Sequence, residues 1–151
     1  MIPDFGVDGN LPPGIHWALW KEIVARFGTT AHRLRLLSGL HRAIPQFKAA
    51  KSSALYLDGS FVTKKEHPND YDVCYDVVGA DPAQLDPIFL DFTDFDAARQ
   101  KQKLKYYGEF FPAQIREGAT GKTFLEFFQE DKDTGASKGI VGLNLRGWKD
   151  D

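Results

Sequence analysis

The sequence has a single cysteine, Cys74, so it holds no pair of cysteines that could form an internal disulfide. Disulfides are typical of small secreted domains, and their absence predicts a reducing compartment. The N-terminal residues lack the basic and apolar segments that make up a signal peptide. No apolar run approaches the roughly 20 residues that a membrane-spanning helix needs. These absences predict a cytoplasmic protein with no membrane segment.

The sequence also lacks an excess of charge of one sign, since its net charge is -2. A nucleic-acid partner would therefore have to bind a local basic patch. Phenylalanine, in contrast, is abundant, at 12 of 151 residues, and it predicts an aromatic core. The length suits one domain with one core. We expect an N-terminal arm over residues 1–14 and a single domain over residues 15–151.

Apolar periodicity and turn residues predict an α+β fold. We expect helices where apolar residues recur every three or four positions, with Pro45 bending or ending the second helix. Apolar runs between turn residues indicate strands, and the segment 109–122 is typical of a loop. The predicted helices cover 15–28, 31–51 and roughly 95–107, and the predicted strands cover 54–59, 70–78, 123–131 and 139–145. This order predicts a small mixed or antiparallel sheet with helices packed on one face.

The strand predicted over 70–78 carries acids at alternate positions. Because side chains on a strand alternate between its two faces, Asp70 and Asp72 share one face and lie about 7 Å apart. Two carboxylates that close repel one another unless a cation lies between them. Mg²⁺ is held by such carboxylates together with phosphate oxygens. The pair therefore indicates a magnesium and phosphate site, although a solvated polar face of an ordinary strand would have the same pattern.

A glycine and a serine, Gly59 and Ser60, end the preceding strand. Gly59 has no Cβ, so another group can approach the backbone closely. Ser60 offers a hydroxyl and an N–H group to an anion, and Lys64 adds positive charge nearby. The turn thus predicts phosphate-binding groups beside the two acids.

The stretch "LYLDGSFVTKKEHPNDYDV" resembles the signature of the nucleotidyltransferase superfamily that includes DNA polymerase β. The family pattern is an apolar residue, Gly-Ser, a spacer of about ten residues, and two Asp residues that alternate with apolar ones. The matching positions are Leu57, Gly59, Ser60, Asp70, Tyr71, Asp72 and Val73. Asp58 departs from the pattern, which has an apolar or small residue there. The short chain is similar to the minimal nucleotidyltransferases of bacteria, and its two ends resemble an uncharacterised bacterial group. The resemblance implies a nucleotidyltransferase-like fold.

The resemblance also implies an activity, the transfer of NMP from an NTP to a hydroxyl with release of pyrophosphate. ATP is the expected NTP, and two Mg²⁺ ions, or Mn²⁺, are the expected cofactors. Asp70 and Asp72 would bind the metal ions with a third acid from a later strand. Glu126 is the candidate for that acid, and Glu130 is the alternative on the same predicted strand face.

The helix predicted near residues 95–107 carries Arg99 and Lys103 on one face, because they are four residues apart. This face could bind the triphosphate or an RNA backbone. A solvated helix face would have the same pattern.

The sequence leaves the acceptor open between a protein and a tRNA or other RNA. Minimal members of the superfamily resemble one half of a toxin–antitoxin or phage-defence pair, so a cognate toxin or antitoxin partner, or a homodimer, is expected. A competing hypothesis is a catalytically inactive nucleotidyltransferase fold that binds and regulates a partner protein. A third hypothesis is an unrelated metal-dependent hydrolase.

Overall fold

The computed structural model describes residues 1–91 and 95–149, without the side chain of Phe95. The predicted α+β class is confirmed: within this part of the chain a five-stranded mixed sheet packs with four α-helices. The strands are β1 (Gly14–Trp17), β2 (Ala54–Asp58), β3 (Tyr71–Tyr75), β4 (Gly108–Pro112) and β5 (Gly139–Asn144). The helices are α1 (Trp20–Phe27), α2 (Ala31–Ala49), α3 (Phe95–Tyr106) and α4 (Phe124–Phe127).

The sheet has the strand order β1-β5-β2-β3-β4. The central strand β2 is antiparallel to both of its neighbours, β5 and β3. The two outer pairs, β1 with β5 and β3 with β4, are parallel. Consequently β2 ends at the same edge of the sheet at which β3 and β4 begin.

The long helix α2 starts at Thr30, whose side chain accepts a hydrogen bond from the Arg33 N–H group at 3.1 Å. Of the two alternatives predicted for Pro45, a bend or an end of the helix, the end is wrong, because α2 continues past Pro45 to Ala49. Ile44 and Phe47, on either side of Pro45, are fully buried, and their burial offsets the hydrogen bond that proline cannot donate. Among the described residues, no helix is long and apolar enough to cross a membrane.

The main core lies between one face of the sheet and the helices α1 and α2. It is aromatic, as predicted. The ring of Phe47 lies 5.0 Å from Tyr75, 4.9 Å from Phe89 and 5.5 Å from Phe110, measured between centroids. The expected N-terminal arm contributes Ile2 and Leu11 to this core.

The opposite face of the sheet carries a second, smaller cluster, in which Cys74 and Phe111 pack against Phe124, Leu125 and Phe128. The last three belong to α4 and its C-terminal end. The predicted strand over 123–131 is therefore wrong, and so is the prediction that helices cover only one face. The apolar residues at positions i, i+1 and i+4 fit one side of a helix, which explains why this segment is helical.

Two further assignments from the sequence are wrong. The segment predicted as a loop over 109–122 begins with β4, and the helix predicted over 15–28 is divided into β1 and α1. The divided helix keeps the predicted burial of Trp20 and Phe27, whereas Trp17 lies on a strand and is half exposed. Parallel pairing with β5 holds residues 14–17 in the extended conformation.

A capping box begins α4, since the Thr123 hydroxyl accepts from the Glu126 N–H group and the Glu126 carboxylate accepts from the Thr123 N–H group. Because the cap binds two otherwise unpaired N–H groups, Thr123→Ala is expected to lower the free energy of unfolding by about 1 kcal/mol. Chemical denaturation measures this change. Thr29→Ala is the control, because Thr30, and not Thr29, caps α2. An equal loss in both variants would contradict the role of the cap.

Candidate functional site

Three acids lie side by side across neighbouring strands at one edge of the sheet. Asp58 pairs with Asp72 in the register of β2 and β3, and Asp72 pairs with Glu109 in the register of β3 and β4. We call Asp58, Asp72 and Glu109 the acid row. Its members alternate with core residues such as Leu57 and Phe110, so the row lies on the sheet face opposite the main core.

The turn after β2 brings its backbone against this row. Gly59 has φ +77°, a left-handed conformation that glycine adopts without strain. A Cβ at this position would lie 2.2 Å from the Asp72 Oδ2 atom. The close approach predicted for Gly59 is therefore present, and the group that approaches is the Asp72 carboxylate.

Asp58 is the most enclosed of the three acids, with no exposed surface. The Cys74 thiol forms a weak hydrogen bond with its carboxylate. Burial and the nearby Asp72 raise the pKa of Asp58 well above its usual range. Burial therefore favours the neutral form of Asp58, and a cation next to it would favour the ionised form.

Asp72, at the centre of the row, is also withdrawn from water. Burial, followed by repulsion from Asp70 and Glu109, raises the pKa of Asp72 to about 8. Lys103 and Lys138 oppose this shift. A cation placed against Asp72 would favour its ionised form, so the site has an electrostatic preference for positive charge.

Lys103 supplies one such charge. Its ammonium Nζ lies 2.8 Å from Glu109 Oε1 and 3.4 Å from Asp70 Oδ2, and the hydrogen bond to Glu109 is the main cause of the raised pKa of Lys103. The preceding residue, Gln102, holds α3 against β4 by accepting a hydrogen bond from the Phe110 N–H group at 2.8 Å. Within residues 1–91 and 95–149, no three His, Cys, Asp or Glu side chains already form a metal cluster.

The predicted basic residues lie in three different surroundings. Lys103 and Arg99 are four residues apart on α3. The Arg99 guanidinium lies 5.3 Å from the centroid of the Phe111 ring; burial lowers the pKa of Arg99, and the nearby Glu109 opposes this shift. Ser60 is half-buried at the start of a single helical turn (Gly59–Val62). Lys64 is exposed on the following loop, and its backbone N–H group donates to the Gly9 carbonyl at 2.9 Å.

Glu126 is not brought to the acid row. It is exposed in α4, its carboxylate accepts hydrogen bonds from Thr123, and these hydrogen bonds lower its pKa. Glu130 forms an ion pair with Lys122. The expectation that one of these two acids joins Asp70 and Asp72 on a core strand is corrected, because the segment that carries them is not a strand.

Sequence reasoning missed Glu109 and the burial of Asp58. Glu109 follows a helix end and a glycine and precedes two phenylalanines, which is the pattern of a strand that starts with an outward acid. The only sign of Asp58 in the sequence was an acid at a position where the family pattern has an apolar or small residue. The S/T-x-x-E pattern at Thr123 and Glu126 was the signal that this segment begins a helix.

Comparison with known proteins adds the family. Residues 3–144 match DUF6932, which is described as a family of unknown function. No curated protein and no solved structure matches the chain.

Proposed function

Because the chain belongs to DUF6932, a family of unknown function, we propose its function from the site itself: it is a metal-dependent nucleotidyltransferase. It transfers NMP from an NTP to a hydroxyl acceptor and releases pyrophosphate. The observation that carries this proposal is the in-register acid row beside Gly59 and Ser60. Carboxylates on neighbouring strands, next to a backbone turn free of side chain, suit a reaction that needs phosphates and cations held together.

The acids are suited to a Mg²⁺ ion. The buried carboxylate of Asp58, the raised pKa of Asp72 and the ammonium of Lys103 between two acids all indicate a place where positive charge is favoured. Asp70, Asp72 and Glu109 would hold the metal ions. When bound, Mg²⁺ neutralises charge on the nucleotide phosphates and orients them.

The residues of the chain itself have separate roles in this proposal. Because Gly59 has no side chain, the Asp72 carboxylate lies against the turn that would bind the phosphates. Ser60 offers its hydroxyl and N–H group to the phosphates. Lys103 and Arg99 balance the negative charge that remains, and Lys103 would exchange its acid partners for phosphate oxygens. Positioning and charge neutralisation supply most of the rate in such reactions.

A second candidate is the inactive fold that binds and regulates a partner protein. The ion pairs of Lys103 with Asp70 and Glu109 favour it, because they already neutralise two acids of the site. ATP as the donor, a toxin–antitoxin partner and a cytoplasmic location are further parts of the first proposal. The two candidates differ in whether Mg²⁺ and an NTP bind.

Thermal unfolding with Mg²⁺ and each of the four NTPs tests the proposal. A nucleotide at 100 times its dissociation constant is expected to stabilise the wild type by about 2.7 kcal/mol. The variant with Asp70→Asn and Asp72→Asn should lose this shift. A wild-type protein that no NTP stabilises in the presence of Mg²⁺ would reject nucleotidyl transfer and favour the inactive module.

Glu109 and Glu126 form a matched pair of variants. Glu109→Gln is expected to weaken Mg²⁺-dependent NTP stabilisation at least tenfold in apparent affinity, since it removes a carboxylate of the acid row. Glu126→Gln should leave that affinity unchanged and affect only the cap of α4. A titration of Mg²⁺ at fixed ATP, in which the melting temperature reports binding, measures the apparent affinity of both variants. The reverse result would restore Glu126 as the third acid.

A further inference from the structure

A cavity of about 310 Å³ opens between α2 and α3. Its lining includes Arg35, Asp70, Lys103 and Tyr107, and Lys103 Nζ lies 2.8 Å from Glu109 Oε1 of the acid row. Lys103 therefore connects this cavity to the acid row, and an acceptor bound in the cavity would lie next to the residues proposed to hold the metal ions.

Tyr107 has an unusual backbone at this cavity. Its φ of +68° is a left-handed conformation that is rare for an aromatic residue. Tyr107 directly follows α3, where its N–H group donates to the Lys103 carbonyl at 3.0 Å. This is the position at which glycine is usual. A bulky residue in a strained conformation beside a cavity is an indication of function.

The strained helix end is held in place by α2. A Cβ on Gly39 would lie 2.0 Å from the Tyr106 carbonyl oxygen and 2.8 Å from Tyr107 Cδ2, so α2 has no side chain where α3 ends. The Arg35 guanidinium lies 4.4 Å from the centroid of the Tyr107 ring, and the Arg42 guanidinium lies 5.2 Å from it. We call Arg35, Tyr107 and Arg42 the arginine–tyrosine stack.

Both arginines of the stack are exposed, and neither forms an ion pair with a carboxylate among the described residues. A protein with a net charge of -2 thus concentrates two unbalanced positive charges at one rim of the site. A guanidinium stacked on an aromatic ring keeps its N–H donors free at the edge for phosphate. Aromatic rings and guanidinium planes are also the surfaces on which unpaired bases stack.

We propose that this cavity and the arginine–tyrosine stack bind the 3′-terminal nucleotide of a single-stranded nucleic acid, which is the acceptor of the transferred NMP. The cavity volume is at the lower limit for small-molecule sites, which suits one nucleotide. A protein acceptor would need a specific surface of about 800 Å².

This inference rests on the proposed nucleotidyl transfer. The 3′ oxygen forms a bond to the α-phosphorus of the NTP, the bond from that phosphorus to the pyrophosphate oxygen breaks, and pyrophosphate leaves. The proton of the 3′ hydroxyl is released to bulk water.

Binding of 5′-fluorescein-labelled ten-nucleotide single strands, one of RNA and one of DNA, tests the proposal by fluorescence anisotropy. Arg35→Ala is expected to raise the dissociation constant at least tenfold and to reduce the slope of log affinity against log salt by about 0.7. The matched control is Arg146→Ala, an exposed arginine near the far end of β5, which should change affinity less than twofold. Stronger binding of one strand identifies RNA or DNA as the acceptor type.

Tyr107 supplies a second pair of variants. Tyr107→Asn keeps a residue that tolerates the left-handed conformation but removes the ring, so affinity should fall about tenfold while the melting temperature changes by only a few degrees. Tyr107→Phe keeps the ring and should bind like the wild type. A purely structural role would lower the melting temperature of Tyr107→Asn without a separate loss of affinity.

The outcomes separate this inference from the proposed function. If Mg²⁺ and an NTP stabilise the protein but neither strand binds, or Arg35→Ala and Arg146→Ala weaken binding equally, the acceptor surface is overturned and a protein acceptor is favoured. If a strand binds through Arg35 but no NTP binds with Mg²⁺, the nucleic-acid surface is supported and nucleotidyl transfer is rejected.

Discussion

Asp72→Asn is expected to make the metal-free protein more stable at pH 8 while it abolishes nucleotide binding. Most inactivating changes in a site are neutral or destabilising. Here the wild-type residue is a buried acid whose pKa is raised to about 8 by burial and by Asp70 and Glu109. Removing its ability to ionise removes a cost of folding at alkaline pH. Loss of the central carboxylate should also reduce transfer by roughly 10³-fold or more.

The direction of the pH dependence follows from the two pKa values of Asp72. In the unfolded chain Asp72 ionises near pH 3.8, and in the folded protein it ionises near pH 8. Between these values the folded state binds the extra proton, so stability is full below pH 3.8 and is lost as pH rises towards 8. A shift of this size corresponds to about 6 kcal/mol. Asp58, with its own raised pKa, adds a loss of the same sign.

Urea denaturation from pH 4 to pH 8.5 in the presence of EDTA measures this effect. The free energy of unfolding of the wild type should fall across the range, and that of Asp72→Asn should fall less. Asp81→Asn, an exposed acid outside the acid row, is the control and should keep the wild-type slope. At pH 8, saturating Mg²⁺ should restore the stability of the wild-type protein, and at lower pH it should have no such effect. A wild-type stability that is flat with pH would contradict the burial of Asp72.

Gly59→Ala is expected to destabilise the protein by about 3 kcal/mol and to abolish NTP binding. Two physical causes contribute. The left-handed φ of +77° strains any residue with a Cβ by about 1 kcal/mol. In addition, the new Cβ would lie 2.2 Å from Asp72 Oδ2, so a buried carboxylate that has little room to move must shift.

Gly79→Ala separates these causes. Gly79 has a similar φ of +73°, but a Cβ there would have nothing within 4 Å. Its cost of about 1 kcal/mol should therefore represent strain alone. Chemical denaturation of both variants, and of Gly59→Ala combined with Asp72→Ala, completes the comparison. The double variant should recover part of the loss, because the carboxylate that clashes is gone. Equal losses at Gly59 and Gly79 would show that the approach of Asp72 plays no part.

Local signals predicted the elements that have strong patterns of their own. The strands β2, β3 and β5 and the helices α2 and α3 were predicted because apolar periodicity and turn residues mark them. The segment 15–28 was predicted as one helix because Trp17, Trp20, Val24 and Phe27 have helical spacing. Pairing with β5 overrides that spacing for Trp17. Likewise, the five phenylalanines of 110–111 and 124–128 look alike in sequence, but the first two lie on a strand and the other three belong to a helix and its C-terminal end.

The sequence by itself determined the α+β class, the aromatic core and the Gly59–Ser60 turn, because each depends on spacing along a few residues. The tertiary structure alone decided which acids lie side by side. Glu109 is far from Asp72 in the chain, and only the parallel register of β3 and β4 brings them side by side. The same is true of the arginine–tyrosine stack, whose members meet because Gly39 lets α3 end against α2. Contacts between distant segments depend on pairing and packing, which local patterns do not encode.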